Sequence, residues 1–256
     1  MSPATGEIST VALIERKVGI SRSLFTRYWR DVHGVMAARI PGFESYTQYH
    51  VSALTEGSEP FEGIAVVTYA SEADRQGLVT SEVTKHIHRD EQNAFRRALL
   101  YNLPPGASRV LRDGSAGEES LFIVVPQGVA VEDVADALLG SGPSRLALHD
   151  LTGGDPSGWN DTDADDGGQG RRFVAVLHAG FAQAGAGEEA ARALAERVPG
   201  IAAYRADETY VMIEHGRPTP IGLRGLDAVR TIEEAGASNQ LEEEVVRAVY
   251  GKLGTR

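Results

Sequence analysis

The chain contains no cysteine, which excludes disulfides, thiolate metal sites, iron–sulfur ligation and a cysteine nucleophile. It also lacks long apolar runs: Ala12–Ile14 and Leu121–Val125 are typical, far short of the roughly 20 residues that span a bilayer. Met1–Thr10 has neither the basic stretch nor the apolar core of a targeting signal. Positive charge is in deficit, with 25 Lys and Arg against 36 Asp and Glu and a formal charge of −11. Such a surface repels phosphate backbones and anionic membranes, so neither nucleic acid nor membrane is expected as a partner. A soluble, cytoplasmic protein is expected. Glycine patterns of nucleotide loops, a G-x-S-x-G elbow and an H-E-x-x-H helix are missing, which favours chemistry without a dissociable cofactor. No heptads or low-complexity arrays suggest a structural role.

What is present is enough apolar residue, 42% of 256, for one large domain or two ordinary ones. Thr10–Glu15, Phe43–Val51 and Phe61–Tyr69 read as strands. Ser21 is a candidate N-cap for a helix to about Ala38, with Phe25, Trp29, Val32 and Met36 on its apolar face and Pro41-Gly42 as the stop. Ser71 and Asp74 resemble a capping box, and the segment His86–Asn102 reads as helical at its later end, through Phe95, Ala98, Leu99 and Asn102. Ser108–Arg112 reads as a short strand. Further on, Leu121–Val125, Arg145–Leu151, Phe173–His178 and Tyr204–Ile213 read as strands, and Val131–Leu139, Glu188–Arg197 and Asn239–Tyr250 as helices, the last with Leu241, Val245 and Ala248 inward. Thr152–Gly170 reads as an acidic, glycine-rich loop. Its Asp161, Asp163, Asp165 and Asp166 fail the calcium-loop pattern, because the sixth and twelfth positions from Asp161 are Asp166 and Arg172.

This rhythm makes about four β-α-β units, an α+β chain of two tandem ferredoxin-like modules, residues 1–115 and 116–256, whose antiparallel sheets pack as a dimeric-type α/β barrel. The modules would form a pseudo-dimeric monomer or pair further as a homodimer. Arg39–Tyr46 is echoed by Arg197–Tyr204, 158 residues on. A full module at that offset nearly exhausts the chain, so the two segments need not be equivalent. Pro-Gly after a helix is also a generic stop.

The stretch Phe25–His50 resembles the signature of the EthD family: an aromatic pair Tyr28 and Trp29, then His33, then Pro41, Gly42, Tyr46 and His50, with Asp90, Glu91 and Phe95 downstream. The resemblance covers roughly residues 10–113 and implies a dimeric ferredoxin-like α/β barrel. Relatives of that barrel include polyketide cyclases, cofactor-free oxygenases, isomerases, dehydratases and heme enzymes, so the fold is implied more firmly than the reaction. Val35 stands where relatives often carry proline. At the 158-residue offset His33 falls on Ala191, which leaves one catalytic pocket expected in the first half.

His33 is the leading catalytic candidate, since an imidazole on the same helical face as Trp29 can move a proton. His50 and Tyr46 are candidate assistants if Tyr46, Gln48 and His50 form one polar row on the strand. Tyr28, Trp29 and Phe25 are candidate substrate-binding walls, and His178 lines a second pocket on the same reasoning. An isolated histidine on a helix is more often a satisfied core residue, and each of these residues has that alternative. His149 reads as structural. His86 and His88 with Asp90 and Glu91 match no regular ligand spacing, so no metal is expected. The expected function is cofactor-free acid–base chemistry, a cyclisation, dehydration or isomerisation, on an apolar cyclic or polyketide-like small molecule. The alternatives are a monooxygenase, cofactor-free or heme-dependent with His33 or His178 as axial ligand, and a non-catalytic metabolite-binding accessory protein.

Overall fold

In the computed structural model, which describes residues 8–154 and 173–251, every strand read from sequence forms. The strands are β1 (Ile8–Arg16), β2 (Phe43–Ala53), β3 (Phe61–Tyr69), β4 (Phe95–Asn102), β5 (Ser108–Arg112), β6 (Glu119–Pro126), β7 (Arg145–Asp150), β8 (Phe173–Phe181), β9 (Ala202–Glu214) and a short β10 (Arg217–Pro218). The first helix is continuous through three segments, α1 (Arg22–Tyr28), a π-helical turn (Trp29–His33) and α2 (Gly34–Ala37). Then come α3 (Glu72–Thr80), α4 (Glu82–Ala94), α5 (Val131–Gly140), α6 (Ala186–Arg197), α7 (Pro220–Arg224), α8 (Leu226–Glu234), a 3₁₀ turn (Ser238–Leu241) and α9 (Glu243–Tyr250). Most of the acidic glycine-rich loop, including Asp161 to Asp166, lies outside the described residues. Among the described residues no helix is long and apolar enough to cross a membrane.

The strands form one antiparallel sheet in the order β4-β1-β3-β2-β9-β6-β8-β7-β5, with β10 beside β9. The first half contributes β4-β1-β3-β2 and the second β9-β6-β8-β7, the same ferredoxin-like order twice. The two ends of the sheet, β4 and β5, are consecutive in the chain and separated only by residues 103–107. Those residues reach about 20 Å at most, whereas a flat sheet of this strand order would separate its edges by nearly 40 Å at about 4.8 Å per spacing. The sheet must therefore curl to bring these ends within that reach. Its inner face is filled by Val11, Leu13, Phe61, Phe122, Val124 and Tyr204, side chains from both halves and from strands alone. Helices cover the outside, over one apolar cluster per half.

Four sequence expectations are corrected. Phe95–Asn102 is strand β4, not helix, because Ala98 and Leu100 face the helices while Leu99 and Tyr101 face the inside. A strand buried on both faces shows no alternation and imitates a helical apolar run. Val32 is 46% exposed, and His33 with Ala37 takes the inward face instead, because the π turn shifts the phase of the helix. Leu241, in the 3₁₀ turn, and Val245, on α9, are half-buried, but Ala248 is exposed. The echo segments lead into β2 and β9, neighbours that pair with each other. They are not equivalent halves, in keeping with the sequence reading, as β9 stands where β4 stands in the first module; what is corrected is the placing of Ala191 opposite His33. The counterpart of the His33 helix is thus α5, which has no histidine, and Ala191 on α6 is not the counterpart of His33.

Candidate functional site

Ser21 starts the first helix by accepting the Leu24 N–H at its hydroxyl, 3.1 Å. One face then buries Phe25, Trp29, His33 and Ala37 against the sheet. Within the π turn the Gly34 N–H donates to the Trp29 carbonyl, and Gln48 Nε2 on β2 donates to the same oxygen at 3.0 Å. π turns recur at functional sites because they re-aim side chains out of α-helical phase. Two glycines make the fit possible. A Cβ on Gly34 would lie 2.6 Å from Gln48 Nε2, and one on Gly63 of β3 would lie 2.5 Å from the Trp29 ring. Gly63→Ala is accordingly expected to lower stability by about 1–3 kcal/mol through overpacking. A thermal midpoint unmoved in that variant would show that Trp29 has room to shift.

His33 is 6% exposed, and its Nδ1 lies 3.0 Å from Oδ2 of Asp90 on α4. The other carboxylate oxygen accepts from the Tyr28 hydroxyl at 2.5 Å and from Asn93 Nδ2 at 3.3 Å. Burial pushes the Asp90 carboxyl up, but the His33 ring and the Tyr28 hydroxyl outweigh it and hold it below the usual range. A charged Asp90 beside Nδ1 selects the tautomer with the proton there, leaving Nε2 as the basic nitrogen. Phe95 packs on the imidazole with ring centres 5.0 Å apart.

His33, Tyr46, Glu91 and Trp29 meet, with Thr10, around a largely apolar cavity of about 50 Å³ between sheet and helices. Glu91, 2% exposed, brings a second carboxyl to the cavity. The polar row is real: Tyr46, Gln48 and His50 all point from β2 toward the helices and are buried. Gln48 Nε2 donates to the Tyr46 hydroxyl at 2.7 Å, and burial raises the Tyr46 pKa, so it stays protonated. His50 does not line the cavity. It packs on Trp29 with ring centres 4.6 Å apart, neither ring nitrogen has a hydrogen-bond partner among the described residues, and burial, with Arg30 and Arg22 nearby, pushes its pKa down to about 3. Phe25 stacks behind Trp29, 5.6 Å away, and Tyr28 acts through Asp90. His178 lies on the inner face of the sheet, lining a different cavity.

Neither His33 nor His178 stands in a cavity with room for a heme. The His33 cavity is too small for a macrocycle, and His178 Nε2 meets the Ser120 hydroxyl at 3.2 Å while its ring stacks on Phe122. His86 is exposed and His88 half-buried on α4, and among the described residues no cluster of three histidine or acidic side chains could hold a metal. The residue that sequence reasoning did not assign a role was Asp90. It was visible only as part of the Asp-Glu pair, and its pairing with His33 depends on α4 crossing the first helix.

Residues 17–96 match the EthD domain family. No curated protein matches the chain significantly. Among solved structures, an anthrone oxidase-like protein aligns over 82% of this chain and 95% of its own, with 14% identity and a TM-score of 0.50. A protein provisionally described as a monooxygenase from Lactobacillus acidophilus NCFM aligns over 80% and 99%, at 9% identity and a TM-score of 0.43. An EthD family protein from Bacillus halodurans C-125 aligns over 37% of this chain and 95% of its own, at 14% identity and a TM-score of 0.29. The residues around His33 thus lie in the stretch that matches the EthD domain, residues 17–96, within a chain that folds as two ferredoxin-like halves of one curled sheet.

Proposed function

We propose that the protein is a small-molecule enzyme that uses His33 as its general acid–base, in cyclisation, dehydration or isomerisation of an apolar cyclic or polyketide-like substrate. The observation that carries this reading is the His33–Asp90 pair, 3.0 Å apart, at a largely apolar cavity. In such surroundings Nε2 abstracts a proton from an activated C–H or O–H, and the imidazolium is stabilised by Asp90 and returns the proton later. The Tyr46 hydroxyl is placed to donate to a carbonyl oxygen. At about 50 Å³ the cavity is smaller than the roughly 300–1,000 Å³ of ligand pockets, so a ring-sized substrate enters by displacing the covering helices.

The likeness to an anthrone oxidase-like protein supports a second reading, cofactor-free oxidation of an electron-rich ring by dioxygen. It begins with the same proton abstraction. The test is turnover of anthrones and polyphenolic ketones, with and without oxygen, by the intact protein and by His33→Ala. Turnover is expected to fall about 10²–10⁴-fold in the variant with the fold retained. An unchanged rate in His33→Ala sinks the proposal, and oxygen uptake matching product selects the second reading.

A further inference from the structure

Behind the His33 cavity stands Gln48, fully buried on β2, and its amide satisfies its neighbours in one direction only. The Trp29 carbonyl can only accept, so the group 3.0 Å from it is the NH₂ of Gln48. Reversed, the amide would set its oxygen against that carbonyl. The second proton of the same NH₂ goes to the Tyr46 oxygen at 2.7 Å. Tyr46 therefore accepts from Gln48, and its own proton points elsewhere. Tyr46 lines the cavity. Gln48 Oε1 has no partner among the described residues, so the amide is arranged around its two donors and its acceptor is left unmet.

The Trp29 ring brings a second donor. Its six-membered edge rests against Gly63, while Nε1 lies close enough to Tyr46 to act on the phenol as a donor. It is not aligned on that oxygen: this buried N–H has no hydrogen-bond partner among the described residues. A buried N–H without a partner is uncommon in a folded protein. The indole lines the same cavity as Tyr46 and His33. An acceptor atom placed there meets two donors, the arrangement that stabilises an oxygen on which negative charge develops.

Two features define that atom. Glu91 also lines the cavity, and its charge acts on Tyr46, which opposes a ligand that arrives as an anion. The walls are otherwise largely apolar. Both favour the oxygen of a neutral carbonyl on a hydrocarbon ring.

We propose that Tyr46 and Trp29 form a two-donor pocket for the carbonyl oxygen of a cyclic ketone, and that Gln48 is the positioning residue that turns the Tyr46 proton into it. This rests on the reading of the His33 cavity as the site of reaction. In that reaction His33 Nε2 takes a proton from the carbon next to the carbonyl. The C–H electron pair becomes the C=C bond of the enolate, and the C=O π pair moves onto the oxygen held by the two donors. The imidazolium then returns the proton to carbon or to oxygen, and no oxidant is consumed.

Nuclear magnetic resonance of the full chain reads the donors without turnover. The chain has 2 tryptophans, so it gives two indole N–H signals, and Trp159→Phe identifies that of Trp29. Titration with 2-cyclohexenone should move the Trp29 signal downfield and saturably, with a Kd of about 10 mM or tighter. The same ring without the oxygen, 1-methylcyclohexene, should not move it downfield. Tyr46→Phe and Gln48→Met should each weaken the ketone about tenfold. The double variant should lose no more than Tyr46→Phe alone, because Gln48 acts through Tyr46. Gln48→Glu, whose oxygen draws the Tyr46 proton to itself, carries the test if Gln48→Met does not fold. His33→Ala should keep the shift, whereas turnover persisting in that variant sinks the reading of His33 alone. An indole signal unmoved at about 100 mM ketone, an equal downfield shift with the hydrocarbon, native affinity in the Tyr46 and Gln48 variants, additive losses in the double variant, or loss of the shift in His33→Ala would each overturn the assignment.

Discussion

Between pH 7 and pH 5 the protein is expected to lose about 6 kcal/mol of stability, about 2 kcal/mol from each of three buried histidines. His50 and His178 sit near pKa 3 and His149 near 4 in the folded state, while an unfolded histidine titrates near 6.5. The folded pKa values are depressed, so between these limits the unfolded chain binds more protons than the native one. Stability is therefore complete above pH 6.5 and declines as pH falls toward the folded values. Asp90, also depressed, contributes only below the ordinary carboxylate range, near pH 4. The loss is comparable to the whole stability of an average domain, about 5–15 kcal/mol, so unfolding near pH 5 is expected. Urea unfolding at pH 7, 6 and 5 measures it, and the slope should approach about three protons taken up. Replacing His178 by phenylalanine should remove about one of them. A stability at pH 5 within about 1 kcal/mol of that at pH 7 would mean that these rings are hydrated or protonated in the native state.

Asp90→Asn should lower turnover by about 10²–10⁴-fold while changing KM little. The amide keeps the shape of the carboxyl and can still accept from Tyr28. It removes the charge that stabilises an imidazolium, and its NH₂ can donate to Nδ1, which moves the basic lone pair away from the cavity. Asp90 is a positioning residue, so rate alone is not the diagnostic. If it serves only packing, the thermal midpoint and KM move and the pH profile of kcat keeps its shape. If it fixes the tautomer, the profile changes while the midpoint shifts little. Asp90→Glu, which restores the charge at a longer reach, should recover part of the loss.

Much of this was legible in the sequence where a local rule decides. β3 runs from Phe61 to Tyr69 as alternation requires, Ser21 and Ser71 cap as their side chains predict, and His33 and Tyr46 come together at one cavity. What was hidden depends on longer range. The π turn inserts a phase shift that apolar spacing cannot report, so Val32 was placed inward. β4 is apolar on both faces because it is covered on both, and no period distinguishes that from a helix. Asp90 is 57 residues from His33 in the chain, and the inner cavity needs strands from both halves. The Arg39 and Arg197 echo joins segments that were read as not necessarily equivalent, and they do open two different strands of the same sheet; only the placing of Ala191 opposite His33 fails.

The short connection from β4 to β5 makes the curled sheet a property of one polypeptide. A homodimer of such modules assembles by collision and comes apart on dilution. Here the partner half is always present at the effective concentration set by the linker, so folding should be first order and insensitive to protein concentration. Joining the halves also lifts a constraint that symmetry imposes. In a twofold homodimer every inward residue appears twice, and a guanidinium placed in the shared interior confronts its own copy. A single chain has no such obligation: one half can carry the His33–Asp90 pair and the other can supply Arg145, His149 and His178 to the inside, each selected for its own place.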